Sequence, residues 1–214
     1  MTTFGRRGLL GMAGGALCSA LGGVPGSARA DTVASARQPI VAFYVALDKI
    51  MRAGRATPFQ ARFDMLASVV DAAFDLDTIL RVSVGLKWGT LEEASRVRLA
   101  AVFRKFTVAT YVANFDAFDG ERFDVLADTK VSGADQIVQS RLIPGSGDPI
   151  KLDYLMRTTQ SGWRVVDVLL DGTISRVAVQ RSDFRAVLAK GDAEALSAML
   201  ERKTVELAGG KAGG

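Results

Sequence analysis

The sequence contains no histidine, and its single cysteine, Cys18, lies within the first thirty residues. Those two absences exclude much chemistry. Beyond residue 30 the chain lacks the usual ligands for zinc or copper and the usual general base of hydrolases, so neither a metal site nor a cofactor is expected. An excess of one charge is missing as well. Residues 1–30 hold three arginines and no acid, so the remainder has 24 basic against 23 acidic residues and a net charge of +1. Nucleic-acid binding, which needs clustered basic residues, is not expected.

Long hydrophobic runs are scarce too. The uncharged stretch from Gly8 to Ser27 is rich in glycine and alanine, follows Arg6-Arg7 and ends at Ala28-Arg29-Ala30. This is the pattern of a cleaved secretory signal peptide over residues 1–30, not of a membrane anchor. It predicts a mature chain beginning at Asp31 in the periplasm. The arginine pair is compatible with the twin-arginine export route and with the general one. Leu17 is too large to precede a lipidated Cys18.

The remaining residues, 31–214, suit a single domain with a substantial core. Ile40, Phe43, Tyr44, Leu47 and Ile50 recur at helical spacing and predict a helix from Ala34 to Arg52, with Pro39 in its first turn. Thr57-Pro58-Phe59-Gln60 reads as a capping box opening a helix to about Ala73, and Asp75 as the cap of a short helix ending near Gly85. A second capping box at Thr90-Leu91-Glu92-Glu93 predicts a long helix to about Phe118. The period then changes to two. Four strands are expected, around Phe123–Ala127, Val138–Ile143, Ile150–Met156 and Trp163–Leu170, joined by turns short enough for hairpins. Helices return at about Ser175 to Lys190 and after Asp192, with fraying from Lys203 and a disordered tail over about 205–214. The predicted class is α+β, a mainly antiparallel four-stranded sheet covered by helices.

One ordered set of residues carries a resemblance. It comprises Phe74-Asp75, Gly85 with Trp88, Phe103-Arg104-Lys105-Phe106, Thr110-Tyr111, Gly120-Glu121-Arg122-Phe123, Tyr154-Leu155-Met156-Arg157, Trp163-Arg164-Val165-Val166-Asp167-Val168 and Arg181-Ser182-Asp183-Phe184. In this order they resemble the MlaC family of periplasmic phospholipid-binding proteins, also called the toluene-tolerance auxiliary family, over nearly the whole mature chain. Within it the chain is most similar to the hopanoid-associated branch known as HpnM. Gly172-Thr173-Ile174-Ser175 is one residue longer than the family's usual Gly-Val-Ser.

The resemblance implies a twisted sheet and helices enclosing an apolar cavity for lipid tails. The protein would be a monomeric carrier, without enzymatic activity, of a phospholipid or hopanoid. It would pass lipid between an outer-membrane lipoprotein complex and an inner-membrane transporter with an MCE domain. Matched by motif, Tyr111, Ile150 and Ile174 take pocket positions. Phe106, Tyr154, Met156, Val166 and Val168 are added as candidate lipid-binding residues, since alternate strand residues share a face. By that rule Tyr154 looks the same way as Met156, and Val166 the same way as Val168. Each of these residues could equally be ordinary core.

Two acids stand in apolar strands, Asp153 and Asp167. They could form a proton-transfer pair, or pair structurally with Arg141, Arg157, Arg164 or Arg181, which could also meet a phosphate at a cavity mouth. Two other readings therefore stay open. One is a ketosteroid-isomerase-like enzyme with an acid in an apolar pocket beside a tyrosine. The other is an envelope interaction protein with a filled core.

Overall fold

The computed structural model describes residues 25–209. Six helices pack around a five-stranded sheet, in the order α1 Pro25–Ala53, α2 Phe59–Ala73, α3 Leu76–Val84, a 3-10 turn Gly85–Thr90 and α4 Glu93–Asn114. Then follow β1 Arg122–Ser132, β2 Asp135–Ile143, β3 Ile150–Thr159, β4 Gly162–Leu170, β5 Ile174–Ser175, α5 Arg176–Lys190 and α6 Ala193–Leu207. The strands lie side by side in chain order and every neighbouring pair is antiparallel. The expected α+β class is therefore the observed one.

The core follows the apolar periodicity. On α1, Ala36, Ile40, Phe43, Tyr44, Leu47, Ile50 and Met51 are all buried, one continuous stripe at helical spacing. That stripe lies against α2 and the strands β1, β2 and β4. Pro39 sits inside this helix rather than in its first turn, because the helix starts at Pro25. Most of the predicted signal peptide, residues 1–24, lies outside the described residues, as do residues 210–214 of the tail. Helix α6 runs on to Leu207, past the expected fraying at Lys203.

Neither capping box forms. The Thr57 hydroxyl donates to the Ala53 carbonyl and Thr90 to that of Lys87, so each closes the preceding turn instead of capping the next helix. The N-caps are Pro58 and Glu92, without side-chain cap bonds, and α4 ends at Asn114 rather than Phe118. Asp75, Ser175 and Asp192 do cap, accepting from the backbone N–H three residues on.

Two irregularities shape the sheet. The β1–β2 register shifts between Val125 and Thr129, and the β3–β4 register between Leu155 and Met156. In β4, Tyr154 faces Val168 and Met156 faces Val165, which leaves Val166 as the extra residue of a bulge. The bulge resets the alternation. Val165, not Val166, joins Met156 in the core, and the expectation that Val166 shares a face with Val168 fails there. Beside the bulge the Val165 carbonyl accepts from Asp75 N–H (2.9 Å), so the α2–α3 junction covers an otherwise open strand edge.

The short strand β5 was not expected. It follows Asp171-Gly172, whose φ values of 52° and 72° make the tight turn that an Asp-Gly pair favours. Thr173 N–H closes it on the Leu170 carbonyl (3.2 Å).

Candidate functional site

Between the helices and one half of the sheet lies a cavity of about 440 Å³. Its floor is Leu152, Tyr154, Val168 and Leu170 from β3 and β4. Helix α1 contributes Phe43, Tyr44 and Leu47, and the α2–α3 junction Phe74, Leu76 and Ile79. From α4 come Phe103, Phe106, Tyr111 and Phe115. The far wall is Val177 and Phe184 of α5 with Met199 and Leu200 of α6. Thr107 and Thr110 also line it, but their hydroxyls donate to the carbonyls of Phe103 and Phe106 within α4, which spends their polarity on the helix. The wall is therefore apolar over most of its area.

Its aromatic corner is ordered by ring geometry. Phe43 meets Tyr111 edge-on at 4.9 Å and Phe74 at 5.1 Å, while Tyr44 stacks on Phe123 at 4.2 Å. All three tyrosines of the chain converge here. The Tyr44 hydroxyl lies 2.6 Å from Ser140 Oγ and 3.0 Å from the Tyr154 hydroxyl, and Ser140 Oγ also donates to the Leu152 carbonyl (2.7 Å). Burial pushes all three phenols above the ordinary tyrosine value.

Of the eight residues expected at the site, Phe106, Tyr111, Tyr154 and Val168 line the cavity. Met156 does not. It is fully buried in the core, paired with Val165 beyond the bulge. Val166 is buried but outside the main core cluster, displaced by the bulge. Ile150 and Ile174, 40% and 50% exposed, also lie outside the wall. Both keep the sheet face of the cavity, since Ile150 stands two residues from Leu152 and Ile174 pairs with Leu170. They form part of its exposed rim.

The acids separate. Asp167 is in the cavity wall, with Oδ2 accepting from Ser175 Oγ (2.5 Å) and Oδ1 from the N–H groups of Val168 (2.7 Å) and Val177 (3.1 Å). It ties β4 to the start of α5. Asp153 points from the opposite face of the sheet, where Lys151 and Gln139 reach its Oδ2 at 3.3 Å and its buried Oδ1 has no hydrogen-bond partner. The two acids form no pair, and the arginines expected beside them go elsewhere. Arg157 forms a bidentate pair with Asp135 (2.7 and 3.0 Å), and Arg164 donates to the Asp71 carbonyl. Arg141 and Arg181 pair with neither acid, and none of the four arginines lines the cavity.

The sequence reading missed the cations that do. Arg176 and Lys203 line the opening, together with Gln180, Asp183 and Asn114. The spacing of Val177, Phe184 and Leu188, the buried residues of α5, was the available signal that this helix closes the cavity. A second, shallower hollow of about 360 Å³ lies outside, between α1, α2 and the β3–β4 turn, lined by Pro39, Ala42, Val69 and Trp163.

This architecture, one apolar chamber between a meandering antiparallel sheet and helices on one face, defines the class: an α+β fold built around a cavity. The chain belongs to the MlaC family, whose model, described as MlaC protein, matches residues 45–202. A solved structure of a phospholipid-binding protein from Ralstonia solanacearum, in complex with a phospholipid, is similar with a TM-score of 0.69. The two are 18% identical, and the match covers 83% of this chain and 98% of that one. At that identity the likeness speaks for the fold alone. No curated protein matches the chain.

Proposed function

We propose that this protein is a periplasmic lipid carrier that takes the apolar part of a phospholipid into the cavity between α4, α5 and the β3–β4 floor, without a catalytic step. The observation that carries the reading is the apolar chamber itself, whose 440 Å³ lies within the roughly 300–1,000 Å³ range of small-ligand sites. Each methylene moved from water into such a wall contributes about 0.8 kcal/mol, so a tail is held by burial alone. Membership of the family and the phospholipid in the R. solanacearum structure support the same ligand class.

Export by the signal peptide over residues 1–30, cleavage before Asp31 and a monomeric shuttle between an outer-membrane complex and an MCE-domain transporter belong to this proposal. They rest on the leader sequence and on the family. A hopanoid remains the alternative cargo within the same chamber.

The isomerase-like reading gains one observation, since Asp167 does stand in the wall. Its oxygens, however, accept from three donors that join β4 to α5, and Tyr44 hydrogen-bonds to Tyr154 and Ser140 rather than to it. That arrangement supports a structural role.

The test is to purify the exported protein without detergent and identify organic-soluble molecules by mass spectrometry. Stoichiometric phospholipid is expected. Protein that is lipid-free and stays so after incubation with phospholipid vesicles would overturn the proposal.

A further inference from the structure

We infer that the outer side of α3, the Gly85–Thr90 turn and α5 is a docking surface for a bilayer carrying anionic lipid, with Leu86 entering the interface and the surrounding cations facing the head groups. The inference goes beyond the carrier reading and does not depend on it, since a docked protein need hold no lipid.

Charge is segregated onto these elements. Together they hold six cations, Arg81, Lys87, Arg176, Arg181, Arg185 and Lys190, against two acids, Asp77 and Asp183. The rest of residues 31–214, with 18 basic and 21 acidic residues, is net negative. All six cations are exposed, and none forms an ion pair among the described residues. Cations elsewhere are committed: Arg52 to Asp48, Arg55 to Asp116, Arg104 to Asp71 and Arg157 to Asp135. A chain that is close to neutral as a whole thus presents one positive side, which an anionic surface attracts.

Contacts join the elements into one surface. Helix α3 packs against α5, Ser83 Oγ donates to Gln180 Oε1 (3.4 Å), and Lys87 Nζ donates to the Leu188 carbonyl. The Arg181 guanidinium lies against Gly85, where an added Cβ would fall 3.3 Å from Nε. Leu86 stands between Gly85 and Lys87 and is 93% exposed. Val82 on α3 and Val179 on α5 are exposed as well. A single exposed leucine is ordinary on a soluble protein. One flanked by unpaired cations is the arrangement of an interfacial anchor, whose apolar tip leaves water while the charges stay with the head groups. Scattered cations without fixed partners suit a sheet of mobile anionic head groups, which demands no set geometry. Asp77, four residues before Arg81, and Asp183, two after Arg181, limit the attraction. The inner side of α5 carries Val177 and Phe184 of the chamber wall, so docking on its outer side brings that wall to the bilayer.

The experiment is sedimentation of the full exported protein with sucrose-loaded vesicles of phosphatidylglycerol or of phosphatidylcholine. Binding to phosphatidylglycerol is expected to be at least tenfold tighter, at about a fivefold gain per engaged cation, and the difference should shrink in high salt. Arg185→Glu/Lys190→Glu should remove most of that difference. Leu86→Ser should weaken binding to phosphatidylglycerol by roughly three- to tenfold. Melting curves of both forms should match wild type, because the replaced side chains are exposed. Val168→Trp, which fills the chamber, should sediment as wild type does. Loss of sedimentation in that form would mean that the assay reports lipid loading, and would overturn the docking surface. Equal binding to the two vesicle types, or wild-type binding by both surface variants, would overturn it too. Binding to neither vesicle would do the same and leave the patch to a protein partner. Vesicle docking by a protein that never takes up lipid would overturn the carrier reading alone.

Discussion

The same face of β3 and β4 is packed solid at one end and hollow at the other. Met156 and Val165 are fully buried, whereas Leu152, Val168 and Leu170, a few residues along the same strands, face open space. Both ends are equally apolar in sequence. What separates them is the bulge at Val166 and the helices above, since α4 and α6 stand off the floor while α1, α2 and α5 approach β4. A cavity in a sheet-and-helix protein is thus a property of helix placement more than of strand composition.

The comparison predicts opposite responses to substitution. Met156→Ala at the solid end should destabilise by about 2–5 kcal/mol, read from denaturant unfolding, while lipid per folded molecule stays unchanged. A loss below about 1 kcal/mol would mean that this end is loosely packed as well.

The three tyrosines at the seam between the two ends give a pH test. Their folded-state pKa values lie above the unfolded value of about 10, so the phenols' contribution to stability should not change with pH below about 10. Above pH 10 the unfolded chain releases phenolic protons that the folded chain holds. Stability should then fall by up to about 1.4 kcal/mol per pH unit per phenol. Tyrosinate absorbance should rise only with unfolding, and a rise in the folded protein near pH 10 would show that water reaches the phenols.

At the hollow end, Val168→Trp should occupy the chamber and cut co-purifying lipid several-fold, at a stability change of about 1 kcal/mol or less because the added ring enters existing space. Undiminished lipid would place the ligand elsewhere. Ile174→Ser on the rim is the smallest perturbation, expected within about 0.5 kcal/mol in stability, since half of the side chain is already exposed.

Most of the fold could be read from the chain because period and punctuation agree: the α1 stripe, the change to alternation after Gly120, and the Asp75 and Asp192 caps. Where residues had two local options, the reading failed. Thr57 and Thr90 can cap forward or bond backward, and the preceding turns won. The site was half legible. Tyr111 follows from the motif, whereas alternation pairs Tyr154 with Met156 and Val166 with Val168 without saying which face meets the cavity; a one-residue bulge moved Val166, and Met156 differs from Tyr154 only in what lies above it. Ile150 and Ile174 keep the right face and fall just past the wall. Arg176 and Lys203 carry no periodic signal and emerge only when α5 and α6 meet the sheet.

The central claim, that the hollow end of the sheet holds the lipid tail, is tested most directly by diffraction from the protein loaded with a phospholipid brominated along its acyl chains. The account predicts anomalous signal among Phe106, Tyr111 and Val168. Bromine in the outer hollow beside Pro39 and Trp163, with the chamber empty, would contradict it.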